Sequence, residues 1–114
     1  MGFKASTRDA GDITVIDTGG SLTLGAGGTI LRDLVHVHVS KGRKKFVVIL
    51  REVDYIDSFG IGELVRCYAT VRNQGGEMVL SQVSTKVRAL LEITRLHTLF
   101  EMHADEQTAL RRFL

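Results

Sequence analysis

The sequence predicts a single α/β domain: a mixed, mostly parallel β-sheet with packed α-helices, in the order β-β-α-β-α-β-α-β-α. Two observations lead to this fold class. Short apolar segments alternate along the chain with longer segments in which apolar residues recur every three or four positions. Strands that are separated by helices need crossover connections, which make neighbouring strands parallel. The length of 114 residues is the usual size of one domain.

The first half of the chain contains a predicted hairpin and the first helix. Residues 13–17 are rich in β-branched side chains, and glycines 19 and 20 predict a tight turn into a short strand at 21–23. Apolar residues between positions 29 and 40 have helical spacing. We assign residues 1–11 to an N-terminal extension, which leaves residues 12–114 as the domain.

The second half repeats strand and helix three times. Residues 46–50 are continuously apolar, as expected for a strand covered on both faces. The next helix carries an apolar stripe from Ile61 to Val71. Residues 78–80 and 98–102 predict the remaining strands. Two polar residues predict the N-caps of the last two helices, Ser84 and Asp105.

Composition and charge exclude several classes of protein. An apolar fraction of 44% and a charged fraction of 25% indicate a folded domain, and no apolar run approaches the ~20 residues of a membrane span. A net charge of +2 with 6% aromatic residues does not indicate direct binding of nucleic acid. Cys67 is the only cysteine, and the N-terminus does not resemble a secretory signal. We therefore expect a cytoplasmic protein that acts at no membrane.

No catalytic, cofactor or metal pattern has the spacing that its chemistry needs. Ser58 is not in a nucleophile elbow, because Ile56 occupies the first glycine position of that motif. The glycines of residues 60–62 begin a dinucleotide fingerprint, but Val65 stands at its third glycine position. Residues 25–28 lack the ending of a phosphate-binding P-loop, and the four histidines have no partners at ligand spacing. We predict a non-enzyme without cofactor or metal.

The segment DSFGIG at residues 57–62 joins the buried strand to the amphipathic helix. Ser58 is well placed to be the N-cap of that helix, which contributes about 1 kcal/mol, and Asp57 favours the positive end of the helix dipole. The alternative is that Ser58 accepts a phosphate. A phosphate adds about −1.5 to −2 charge at pH 7 and would oppose a partner that docks over this surface without refolding the domain.

The run YIDSFGIG at residues 55–62 resembles the phosphorylation-site motif of STAS-domain anti-sigma-factor antagonists. The resemblance continues at residues 15–23, 75–79 and 87–91, so it covers nearly the whole chain from residue 12. It implies a STAS-type single domain and a bacterial regulator of sigma-factor-dependent transcription. Such a protein binds an anti-sigma factor, often itself a serine kinase, when unphosphorylated. The kinase phosphorylates the serine that matches Ser58 and so breaks the complex, and a PP2C-type phosphatase restores it.

The resemblance also implies the site residues. Ser58 is the expected phosphoacceptor, and Thr23 stands where many members have an aspartate, in a loop close to the phosphorylation site. The expected partner-binding residues are Asp57, Phe59, Gly60, Ile61, Gly62 and Thr23. Among them, Phe59, Ile61 and Gly62 should be exposed or semi-exposed.

Two other functions stay open. One is a STAS scaffold or adaptor of a signalling or lipid-transport assembly, with Ser58 only a helix cap. The other is a small-molecule-binding or nucleotide-binding module that uses the glycine-rich segments.

Overall fold

The structure, a computed structural model, describes residues 2–24 and 27–114. Those residues form nine elements: β1 (Phe3–Ala10), β2 (Ile13–Leu22), α1 (Gly28–Ser40), β3 (Lys45–Ile56), α2 (Ser58–Asn73), β4 (Glu77–Ser81), α3 (Thr85–Ile93), β5 (Met102–His103) and α4 (Glu106–Arg111). The strands form one sheet in the order β1-β2-β3-β4-β5. Only the pair β1–β2 is antiparallel. The predicted α/β fold with a mixed, mostly parallel sheet is confirmed.

The position of the opening hairpin was predicted wrongly. Its first strand is β1, so residues 3–10, which the sequence suggested to be an extension, supply the edge of the sheet. The chain turns at Gly11, whose φ of 63° suits glycine. Glycines 19 and 20 lie inside β2, where the register with β3 shifts. The alternating polar side chains of β1 hid this strand, because only one face of it packs against the protein.

β3 is much longer than the apolar run from which it was predicted. Beyond Leu50 the strand continues to Ile56, and only Val53 and Ile56 of that extension are buried. These residues pair with the end of β2. Because of this extension, α2 begins at the same end of the sheet at which β2 stops. At the other edge, β5 is only Met102–His103, shorter than the predicted strand at 98–102.

The sheet is covered on both faces, as the apolar run in β3 predicted. Alternate residues of β3 point to opposite faces. Phe46, Val48 and Leu50 pack in the larger cluster with residues of α1, α2 and α3. Val47 and Ile49 pack in a smaller cluster with Ala109 of α4.

Candidate functional site

The C-terminal ends of β2 and β3 bring the candidate site together. Leu22 and Ile56 are paired at the ends of these parallel strands. The next residue, Asp57, donates its backbone N–H to the Leu22 carbonyl at 3.4 Å. The loop after β2 and the first turn of α2 therefore lie side by side. They lie at the C-terminal ends of the parallel strands, where α/β proteins commonly bind ligands.

Asp57, not Ser58, is the N-cap of α2. Its backbone is extended (φ −110°, ψ −176°), and its Oδ1 accepts a hydrogen bond from the N–H of Gly60 at 2.8 Å. Its Oδ2 accepts a second hydrogen bond from the N–H of Leu24 at 3.2 Å. The prediction that Ser58 caps the helix was wrong, because the preceding carboxylate of Asp57 takes this position and holds both the helix and the β2–α1 loop.

Ser58 is the first residue of α2, and its side chain is exposed. Within the described part of the chain, its hydroxyl takes part in no hydrogen bond. A group attached to this oxygen would therefore replace no structural contact. The scaffold hypothesis loses the specific role that it gave to Ser58, since this residue does not cap the helix.

Gly60 and Ile61 face the protein itself. A Cβ at Gly60 would lie 2.0 Å from the Leu22 carbonyl oxygen and 2.8 Å from Cγ1 of Ile56, so the bare backbone allows the helix to approach the ends of the strands. Ile61 is only 4% exposed and belongs to the larger core cluster. The expectation that the Ile61 side chain is exposed or semi-exposed was therefore wrong, because the phase of the helix turns this side chain toward the sheet.

The remaining residues of the expected partner surface are accessible. Phe59 and Gly62 are half-buried, and a Cβ at Gly62 would meet only the Arg66 guanidinium, at 3.6 Å. Thr23 is half-buried in the adjacent loop. Its neighbour Leu24, which the sequence analysis did not single out, is 72% exposed. The hydrogen bond from Leu24 to Asp57 places this loop next to Ser58.

On the other side of Ser58, helix α3 completes a groove of about 410 Å³. Its walls are mostly apolar, and Tyr55 and Ile93 are exposed at 49% and 77%. The lining residues are Tyr55, Ile56, Asp57, Ser58, Lys86, Val87, Ala89, Leu90 and Ile93. None of the sites predicted from the sequence includes the α3 side of this groove. A usable signal was the spacing of Lys86, Leu90 and Ile93, which share a helix face beside the buried Val87 and Leu91.

Cys67 and Glu63 of α2 are buried between the helices and the sheet. Burial raises the pKa of the Cys67 thiol to about 12, and the nearby Glu63 carboxylate adds to this rise. A thiol of this kind is unreactive near neutral pH. Across residues 2–24 and 27–114, no three His, Cys, Asp or Glu side chains are placed to hold a metal ion together. None of the helices in these ranges is both long and apolar enough to pass through a membrane.

Comparison with known proteins places these features in context. The anti-sigma-B factor antagonist of Bacillus subtilis is 32% identical to this chain over 60 residues, which are 53% of this chain and 55% of that protein. The chain spans between 55% and 65% of the length of the curated relatives that it matches.

Solved structures share the fold at low sequence identity. An anti-sigma factor antagonist from Mycobacterium paratuberculosis matches with a TM-score of 0.84 and 17% identity, over 96% of this chain and 92% of that one. The Bacillus cell fate determinant SpoIIAA in its phosphorylated form matches with a TM-score of 0.76 and 18% identity, over 97% of this chain and 100% of that one. The family model described as the STAS domain matches residues 4–109. This chain therefore belongs to the STAS domain family.

Proposed function

We propose that this protein is an anti-sigma factor antagonist that binds an anti-sigma factor when Ser58 is unmodified and is released when Ser58 is phosphorylated. The observation that carries the proposal is the exposed Ser58 hydroxyl beside a helix cap that a different residue, Asp57, provides. The names of the curated relatives support the class of function. The cycle would operate in the cytoplasm of a bacterium, with the anti-sigma factor acting as the serine kinase.

In this proposal the chain supplies the nucleophile and the kinase supplies the catalytic groups. Oγ of Ser58 would attack the γ-phosphorus of ATP, which forms the O–P bond and breaks the bond to the bridging oxygen. ADP would leave with that electron pair, and the hydroxyl proton would pass to a base of the kinase. A PP2C-type phosphatase would then hydrolyse the ester and return the free hydroxyl with inorganic phosphate.

The effect of the phosphate would fall on the partner rather than on the fold. The phosphoryl group would project from an exposed position, where it displaces no existing contact of Ser58. A partner seated over Phe59, Gly62 and the Thr23–Leu24 loop would have to remove water from a charge of about −1.5 to −2. The neighbouring carboxylate of Asp57 adds to the negative charge of this surface. Phosphorylation would therefore oppose association while it leaves the domain folded.

The first experiment incubates the purified chain with ATP and a serine kinase of the anti-sigma-factor class from the same organism. Mass spectrometry should show one added phosphate, which the Ser58→Ala variant no longer accepts. Ser40→Ala is the matched control, because Ser40 is also an exposed serine but lies at the far end of α1. Phosphate on a residue other than Ser58 would contradict the proposal.

A second experiment measures the affinity of the complex by calorimetry. Ser58→Asp should weaken binding of the kinase at least tenfold, which corresponds to about 1.4 kcal/mol. Ser40→Asp should bind like the wild type. Equal affinity of Ser58→Asp and the wild type would show that charge at this position does not control the complex.

A further inference from the structure

Lys86 of α3 lines the same groove as Ser58. Its Nζ lies 5.5 Å from the centroid of the Tyr55 ring. No carboxylate among residues 2–24 and 27–114 forms an ion pair with its ammonium group. A cation that rests on an exposed aromatic ring is held only weakly, so this lysine is easily redirected.

The other charged side chain that lines the groove is Asp57. Both of its oxygens are occupied, one by the N–H of Gly60 and the other by the N–H of Leu24. Asp57 is therefore fixed by backbone contacts and cannot turn away from a new negative charge on the adjacent residue. Lys86 is the group of the groove that can respond, because its four-carbon stem is flexible and its charge is compact.

We propose that Lys86 is the internal counter-ion of a phosphoryl group on Ser58. The ammonium would leave the face of Tyr55 and pair with the phosphate across the groove. This inference rests on the proposed function, since it concerns the phosphorylated form of that site. A phosphate carries more than one unit of negative charge, whereas the aromatic ring attracts a cation only through its quadrupole, so the ammonium is drawn from the ring to the phosphate.

The pairing would extend the effect of the phosphate from α2 to α3. The ion pair would lie over a groove whose walls include the exposed side chains of Tyr55 and Ile93. Phosphorylation would thus change the apolar surface beside Ser58 as well as the charge of Ser58 itself. A partner that uses both sides of Ser58 would meet two changes from one modification.

The test installs phosphoserine at position 58 during translation and follows its second ionisation by 31P NMR. A nearby cation stabilises the dianion and so lowers its second pKa, which is about 6 for an isolated phosphoserine. Lys86→Gln should raise this pKa by about 0.5 units, as expected for the loss of one close cation in water. Lys86→Arg should keep the low value. Arg88→Gln is the matched control, because it removes a cation from an exposed position of the same helix outside the groove.

Two results would overturn the inference. One is a phosphate pKa that is the same in the wild type and in Lys86→Gln. The other is an equal shift in Arg88→Gln, which would indicate only the general field of the helix. A backbone amide NMR spectrum of each variant verifies folding. Since translation supplies the phosphate, the result does not depend on any kinase, and failure of the kinase experiment would overturn the proposed function alone.

Discussion

The carboxylate of Asp57 accepts a hydrogen bond from the backbone N–H of Leu24 at 3.2 Å, which fastens the loop after β2 to the start of α2. The other oxygen of Asp57 caps the helix through Gly60. One side chain therefore holds both segments that surround Ser58. The structural role at this junction belongs to Asp57, and the exposed Ser58 has no part in it.

Replacing Asp57 should cost more stability than replacing Ser58. Asp57→Ala removes an N-cap and a second backbone contact, so the free energy of unfolding should fall by about 2 kcal/mol. Asp57→Asn should lose less, because the amide oxygen still caps the helix although the amide nitrogen cannot accept from Leu24. Ser58→Ala should change stability by less than about 0.5 kcal/mol. Urea denaturation measures all three, and an equal loss in Ser58→Ala and Asp57→Ala would return the capping role to Ser58.

Two glycines of the first turns of α2 should respond to alanine in opposite directions. In Gly60→Ala the new methyl group would collide with the backbone of Leu22, so the protein should lose about 2 kcal/mol or more of stability. Gly62→Ala places its methyl group beside the Arg66 guanidinium at an ordinary contact distance of 3.6 Å. Because alanine favours helix by up to about 1 kcal/mol, this variant should be neutral or more stable. Thermal denaturation of the pair, compared with wild type, separates the two effects. Destabilisation of Gly62→Ala by as much as Gly60→Ala would contradict this account.

The sequence was informative wherever a signal was local. Ser84 and Asp105 were predicted as N-caps, and they accept from the N–H groups of Val87 at 3.2 Å and Thr108 at 2.8 Å. At Asp57 and Ser58 the local signal was ambiguous, since both residue types cap helices. What decides between them is the length of β3, which follows from pairing with β2 and is a tertiary property.

The other differences between the prediction and the structure concern an edge strand and the direction in which a helix turns its side chains. β1 has one exposed edge and few apolar side chains, so its strand character depends on pairing with β2. Ile61 belongs to the apolar stripe that the sequence showed, and the stripe predicted its burial correctly. The docking role came from the resemblance alone, and the structure favours the stripe. The groove beside Ser58 is lined by residues 55–58 and by residues of α3, which are about 30 positions apart in the sequence. No local sequence pattern could therefore predict it.

Glu63, which the sequence analysis did not single out, links α1 to α2 through a buried carboxylate. Its side chain is 1% exposed, Oε2 accepts from Arg66 at 2.6 Å, and Oε1 lies 3.1 Å from Nε of Arg32 without good hydrogen-bond alignment. Glu63→Gln leaves two guanidinium groups beside a neutral amide, so unfolding should become easier by roughly 2 kcal/mol. Arg66→Gln should cost less than about 1 kcal/mol, because Arg66 is mostly exposed.

A double-mutant cycle over Arg32 and Glu63 tests whether this ion pair couples the two helices. Because Arg32 and Glu63 are in contact, the losses from Arg32→Gln and Glu63→Gln should not add, and the coupling should be about 0.5 kcal/mol or more. Additive losses would mean that Glu63 is held by Arg66 and by packing alone. Chemical denaturation at two salt concentrations provides the measurement, and the partly buried pair should depend less on salt than a surface pair does.

Cys67 should make the protein less stable at high pH. Burial holds the thiol pKa at about 12 in the folded chain, against an ordinary value of 9.0. Below pH 9 the thiol is protonated in both states, so it adds no pH dependence. Above pH 9 only the unfolded chain loses this proton, so the free energy of unfolding falls as the pH rises.

The matched variant for this prediction is Cys67→Ala, which removes the thiol and keeps the other titrating groups. Its cavity lowers stability by a constant amount at every pH. Relative to this variant, the wild type should lose roughly 1 kcal/mol between pH 8 and pH 10, when both are unfolded in urea. A constant difference between the two proteins over this range would show that the folded thiol ionises normally. In that case a thiol reagent should also modify the native protein at pH 8, whereas a protonated buried thiol reacts only as fast as the protein opens.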